Sequence, residues 1–418
     1  MKKIIVFFLL VSVLFSCSKD DDTLQDQNFQ IDFTDVNVGQ VNISVSGLTA
    51  IEQVVSSGLV WGVIETPDIE TNDFVLNSVV SGSFQDTIYG LRRNTIYNFR
   101  AFQQTKTSIN YGPVFSITTL GDCTGEIFQG DVILLSQKDV DDFDIVNICA
   151  INGSLQFTSE DILDPIIDIS KFSNVSGSVQ SLQIFNNVEL KNLSGLQNIT
   201  SVEDLIYIGG NRELTDIDEL SSINGGLDYV SIVNNQSLTH LNGLRGITKI
   251  GNTDGGLEIR GNYNLNTLGT LDALEELQNF NLVNNPSLIS FELPSLKGTI
   301  QNFILDENGG LKTVPNLGEL NVINNLDIND CFLLENLDGL QPLQNVENIV
   351  VSGSKLENLN FLSNVIAGSY ASFYANDMLS DYCGLQRALQ NGSFINFETN
   401  SNAFNPTRED VFNGNCLL

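Results

Sequence analysis

The chain has one histidine, one tryptophan and two methionines in 418 residues. A single imidazole, His240 between Leu238 and Leu241, excludes a paired-histidine zinc site and nearly removes Ser-His-Asp and Cys-His catalysis. Its place in the repeat described below points it toward solvent. Cationic side chains are also scarce, 19 Lys and Arg against 51 Asp and Glu, for a net charge of −32. Nucleic-acid phosphates need a basic counterpart, so no nucleic-acid partner is expected. Long apolar runs are missing except from Ile4 to Phe15, which is too short to span a bilayer.

That run follows Met1, Lys2 and Lys3 and leads into Leu14-Phe15-Ser16-Cys17. A basic start and a short apolar stretch mark an export signal. The small residue before Cys17 resembles the lipobox of bacterial lipoproteins. The resemblance implies a signal peptide over 1–16, lipid attachment at Cys17, and an outer membrane partner reached through the acyl chains. An ordinary secretory signal with an incidental Cys17 is the alternative. Loss of Lys2 and Lys3 with the signal takes the net charge from −32 to −34. Residues 17–28 then form an acidic tether. Its Ser18-Lys19-Asp20-Asp21-Asp22 resembles the export tag of surface lipoproteins, which implies a lipid-anchored, surface-exposed location.

From Leu182 one phrase recurs: an aliphatic pair at i and i+2, an Asn three residues on, then an apolar residue every third position. It reads Leu182, Ile184, Asn187, Leu190, Leu193, Leu196 and returns as Ile206, Ile208, Asn211, Leu214, Ile217, Leu220. Further copies centre on Asn235, Asn262, Asn285, Asn308, Cys331, Ser354, Asn376 and Asn400, at intervals of 22 to 27 residues. A period this short means a solenoid, each coil contributing one strand that only a neighbouring coil can cover. About ten coils at ~4.8 Å would make it roughly 50 Å long. The Asn offers both donors and an acceptor to main-chain groups left over at a buried turn, so stacked copies should form a ladder. Cys331 and Ser354 would be weaker rungs.

Residues 29–120 change to alternating strands with Gly, Asn and Pro turns. Three stretches carry a resemblance to a fibronectin type III domain: Gly58-Leu59-Val60-Trp61-Gly62, Tyr89 to Phe102 with Leu91 to Ala101 as its most specific part, and Tyr111 to Thr119. It implies an Ig-like β-sandwich with Trp61 in the core, Tyr97 as a corner tyrosine bonded to backbone, and a spacer role. From Asp122 an opening strand, a short helix capped near Ser136 and the repeats resemble the receptor L domain, a leucine-rich-repeat solenoid. That covers 121–418. The fold expected is mainly β, a sandwich followed by a right-handed parallel β-solenoid.

Export favours disulfides. Cys123 and Cys149 sit where the solenoid begins, Cys383 and Cys416 where it ends, and these two pairs are expected to bond, leaving Cys331 as a buried thiol. Five unpaired thiols are the alternative.

Asp139, Asp141, Asp142 and Asp144 invite a calcium reading but lack the glycine and distant Glu of a hand-type loop. Carboxylates are favoured in a first helical turn anyway. No metal and no cofactor is expected. The positions flanking the inward strand residues, such as Gln183 and Phe185 or Glu258 and Arg260, show no convergence on an acid, a base and a stabiliser. The expectation is therefore no enzyme, but a surface protein that binds a protein or glycan along the solenoid. Phe185, Tyr207, Arg260 and Tyr374 are its candidate contacts, since aromatic and Arg side chains anchor interfaces. Polysaccharide capture, which predicts aromatics clustered on one face, and a polysaccharide-active enzyme, which predicts a close acidic pair, are the alternatives.

Overall fold

The computed structural model describes residues 29–48, 54–77, 81–121, 125–145, 147–160, 163–252 and 254–418. Cys17, the signal segment, the tether and Cys123 lie outside those residues. The chain divides into two compact units, Met1–Thr124 with Phe172–Asn174, and Gly125–Lys171 with Val175–Leu418.

The first unit is antiparallel. Strands β1 (Gln30–Thr34), β2 (Val41–Leu48) and β5 (Gly82–Ile88) form one sheet in the order β1-β2-β5. Strands β3 (Val54–Gly62), β4 (Asp73–Asn77), β6 (Ile96–Thr105) and β7 (Ile109–Tyr111) form the other, with β8 (Phe115–Thr118) also on β6. Alternation decides what each strand buries: Val41, Ile43 and Val45 from β2, and Leu59 and Trp61 from β3, meet Phe99 in one core. Trp61 stacks on Phe99 at 6.4 Å between ring centroids. The Arg92 N–H donates to Tyr97 Oη at 3.0 Å, the tyrosine-to-backbone bond anticipated from the sequence. Burial raises the Tyr97 phenol pKa.

The second unit begins with β9 (Glu126–Gln129), β10 (Val132–Leu134), α1 (Gln137–Asp142), β11 (Ile148–Asn152) and β12 (Leu155–Thr158). Ser136 caps α1 by accepting from the Asp139 N–H, and Asp139 Oδ2 in turn accepts from the Leu135 N–H at 2.9 Å. One carboxylate of the Asp cluster is thus spent on a helix end. The long strands that follow are β13 (Gly177–Phe185), β14 (Ile199–Gly209), β16 (Tyr229–Val233), β18 (Gly256–Arg260) and β20 (Asn279–Val283). The series ends with β22 (Lys297–Asp306), β24 (Glu319–Asn329), β25 (Asn345–Ser352), β26 (Tyr370–Tyr374) and β27 (Asn396–Asn400). With β10 and β12 they make one twelve-stranded parallel sheet, longer by about two coils than the repeats alone suggest. Its length is roughly 50 Å at ~4.8 Å per strand. Short strands β15 (Gly225–Leu227), β17 (Ile247–Ile250) and β19 (Glu276–Leu277), and β21 (Ser290–Glu292) with β23 (Thr313–Asn316), pair on other sides of the coils. The unit is mainly β and is a parallel β-solenoid.

The corner after each long strand explains the repeat. Asn262 is completely buried, its Oδ1 accepts from the Asn235 N–H at 3.0 Å, and its Nδ2 donates to the Ile232 carbonyl at 2.9 Å. The same pair of bonds recurs at Asn211, Asn235, Asn285 and Asn376. The last copy is a correction: Asn402, not Asn400, accepts from the Asn376 N–H and donates to the Phe373 carbonyl. Asn400 instead lies on β27 opposite Tyr374. Cys331 Sγ donates to the Leu305 carbonyl at 3.8 Å, and Ser354 Oγ donates to Asn376 Oδ1 at 2.7 Å.

The residue before every such position has a left-handed backbone: Asn186, Gly210, Asn234, Gly261, Asn284, Glu307, Asp330, Gly353, Ala375 and Ser401, with φ between 49° and 67°. That twist turns the chain out of the strand and lets the next N–H keep pairing with the following coil, as Asn234 does with the Arg260 carbonyl at 2.8 Å. Beyond the corner the apolar triplets are successive i to i+3 turns: the Leu190 N–H donates to the Asn187 carbonyl, and the Leu196 N–H to the Leu193 carbonyl. Each such turn buries one aliphatic side chain.

A different device closes the far end. α2 (Gln386–Gln390) and α3 (Arg408–Phe412) pack against each other, and Cys383 is bonded to Cys416. Tyr382 is buried, and its hydroxyl donates to the Phe404 carbonyl. Cys149 is also disulfide-bonded, and Cys331 is a free, buried thiol.

Candidate functional site

Inward residues of the long sheet fill the core, so any ligand meets the outward columns. Strand pairing puts Phe185 beside Gly209, and Tyr207 beside Ser231. Tyr207 is therefore one strand over and two residues back from Phe185, and Tyr229 stands in the same relation to Tyr207. The three aromatics form a diagonal across β13, β14 and β16, in steps of about 8 Å. Phe185 and Tyr207 touch, with ring centroids 5.6 Å apart. The tyrosine lies along its own strand over Gly209, where an added Cβ would fall 2.7 Å from Tyr207 Oη. A missing side chain makes the floor for that ring.

The diagonal ends in a depression of about 630 Å³ whose lining includes Tyr229, Asp254, Asn279, Asn281, Gln301 and Asn302. Tyr229 Oη and Ser231 Oγ both donate to Glu258 Oε2 at 2.9 Å. Burial, then the Glu258 carboxylate, pushes the Tyr229 phenol up to about 12, so it remains a donor at neutral pH. Asn281 Oδ1 is buried and has no hydrogen-bond partner.

A second asparagine ladder, on the outside, runs from the depression along the sheet. Asn302 donates to Asn279 at 2.6 Å, Asn325 to Asn302 at 2.8 Å, and Asn348 to Asn325 at 2.8 Å. Asn279 itself donates to the Gly255 carbonyl. These residues recur every 23 positions, just before an inward residue, so their spacing was visible in the sequence. Their common face follows only from the register. Tyr229, at the first position of its strand, was missed because the sequence fixes strand starts poorly.

Of the four residues singled out from sequence, Phe185 and Tyr207 come together. Arg260 is exposed in the Phe185 column three strands on, and Tyr374 stands on β26, far along the sheet. The Tyr374 hydroxyl lies 3.5 Å from Asn329 Oδ1. His240 is half-buried rather than free in solvent, with Nδ1 3.7 Å from Asp218 Oδ1.

Acidic groups converge further along. Ile304 pairs with Asp327, and Asp306 with Asn329. Asp306 and Asp327 are thus diagonal neighbours on β22 and β24, with side-chain origins about 8 Å apart. Burial raises both carboxyl pKa values, and the charges of Glu307, Asp327 and Asp330 raise that of Asp306 further. Asn329 Nδ2 donates to Asp327 Oδ1 and opposes the rise there.

No family model and no curated protein matches the chain, so its likenesses to fibronectin type III and receptor L domains rest on the residues that carry them. Among solved structures it is similar to the pectate lyase PelI from Erwinia chrysanthemi in complex with tetragalacturonic acid. The identity is 9%, coverage is 91% of this chain and 92% of that one, and the TM-score is 0.16. So loose a superposition carries no argument about a specific activity. That protein is nonetheless an enzyme, and the expectation that this chain is not one is withdrawn. Sequence reasoning compared residues flanking each strand position, whereas Asp306 and Asp327 meet only through the pairing of two coils.

Proposed function

We propose that the solenoid captures a polysaccharide along the outward face of its long sheet. The observation that carries this is the diagonal of Phe185, Tyr207 and Tyr229 leading into an amide-lined depression. Aromatic faces stack on the C–H faces of sugar rings, and Asn and Gln side chains pair with hydroxyls as both donor and acceptor. Clustering on one face favours a glycan over a protein ligand, whose footprint would be a broader mixed patch.

In the same proposal Cys17 carries lipid to the outer membrane, the acidic tether directs the chain to the surface, and the antiparallel unit is a fibronectin-like spacer. The solenoid belongs with receptor-L-type leucine-rich domains.

A second reading, cleavage of the captured chain, is favoured by Asp306 and Asp327. Their side-chain origins, about 8 Å apart, let the two carboxyls reach the roughly 6.5–9.5 Å separation used by inverting glycosidases.

A glycan array probed with the full chain, with sugar release assayed in the same wells, tests both. Saturable binding that Tyr207→Ala abolishes supports capture. Release of sugar that Asp327→Asn stops supports cleavage. An array on which no glycan binds and no sugar is released would overturn both readings.

A further inference from the structure

We infer that the depression beside Tyr229 is a subsite for an uncharged, hydroxyl-rich sugar unit, so that the ligand is a neutral polysaccharide rather than a polyanionic one. This rests on the capture reading and names its ligand class.

Two independent observations point the same way. The first is local. Asn281 Oδ1, at the wall of the depression, is a buried acceptor without a partner. Such an atom asks for a donor, and a sugar hydroxyl supplies one. A uronate carboxylate or a sulfate ester would bring only lone pairs to it, so the contact is made by a hydroxyl and the anionic group gains nothing there. The other lining groups used here, the Asn279 and Asn302 amides, are partly committed to the outer ladder, which fixes their orientation before a ligand arrives. Asp254 is the carboxylate in the lining and would repel an anionic unit, while Glu258 accepts from Tyr229 and Ser231 and so holds the tyrosine in place.

The second observation concerns the whole face. The outward columns of the long sheet present Glu258, Asp306, Asp327 and Glu398 together with Arg260, an excess of acid. The whole chain carries −32. A polyanion lying along this face meets like charge at several points within a Debye length, whereas a neutral chain does not.

The test is isothermal titration of the full chain with two uncharged polysaccharides, a β-glucan and a galactomannan, and with polygalacturonate, at low and moderate salt. At least one neutral polymer is expected to bind about tenfold or more tighter than polygalacturonate, and added salt should narrow the gap. Asn281→Ala is expected to weaken neutral binding about five- to tenfold, and Asn281→Asp, which keeps an acceptor oxygen, to restore most of it. Tighter binding of polygalacturonate would overturn the inference and leave capture standing. So would full affinity in Asn281→Ala when Tyr207→Ala has lost binding. If no polysaccharide of either kind binds, the capture reading fails, and this inference fails with it.

Discussion

Asn262 shows how much one side chain holds. Alanine there would strand the Asn235 N–H and the Ile232 carbonyl, both inside the corner. A buried group left without its partner costs about 1–3 kcal/mol, so Asn262→Ala should destabilise the solenoid by about 3 kcal/mol. A urea unfolding series checks this. Cys331→Ala, which removes only weak thiol bonds, to the Leu305 carbonyl and with Asn308, should cost clearly less; equal losses would mean that the hydrogen bonds are not what the position supplies. The Cys331 thiol itself is buried, and burial pushes its pKa up to about 12. A thiol reagent should therefore leave it untouched in the folded protein, with no acceleration between pH 7 and 9, and modify it once urea unfolds the chain. The carboxyls of Asp306 and Asp327 are shifted in the same direction, from an acidic starting point. Their folded pKa values lie above the ordinary 3.8, so the stability tied to their protonated forms is present below that value and is lost as pH rises through the folded pKa. Asp306→Asn is expected to raise the unfolding free energy from urea titration slightly at pH 7, by less than about 1 kcal/mol for a group this exposed. The gain should shrink to nothing as pH falls to 3.8. A constant gain at all pH values would contradict the shift.

At the level of a strand, the absence of a side chain at Gly209 is as much a part of the site as Tyr207. Gly209→Leu should lift the tyrosine off its floor and lower glycan affinity by tenfold or more while the sheet stays folded, which titration alongside circular dichroism would show. The coils themselves were legible in the sequence, because every coil must bury the same few positions and only aliphatic residues do so cheaply. The i+3 spacing after each Asn was legible for the same reason. The left-handed corner was not, since Asn, Gly, Glu, Asp, Ala and Ser all occupy it and no single residue type marks it. That blindness also misplaced the last rung at Asn400. Phe185 and Tyr207 could be picked out as outward aromatics. Their contact, the Tyr229 continuation and the Asp306–Asp327 diagonal depend on which residues of different coils lie side by side, and coil lengths of 22 to 27 residues blur that in the sequence.

Across the whole solenoid, the exposed last coil is the place where pairing with another chain would start, and the Cys383–Cys416 bond fastens the segment that covers it. Closing a loop of 33 residues stabilises by about 3–4 kcal/mol in the chain-entropy estimate. Reduction should accordingly open the C-terminal coils first. Hydrogen exchange should rise at β27 and β26 before β18, and uniform loosening along the sheet would count against a local clamp. The direction of the main-chain bonds has a mechanical consequence. In a stack of parallel strands they point along the long axis, so a pull on the two ends of the solenoid loads one coil's bonds at a time instead of all together. Such a molecule yields like a spring uncoiling turn by turn, each released turn of 23 residues adding about 80 Å of chain. A protein holding a large ligand against flow would give way gradually, and recover the same way.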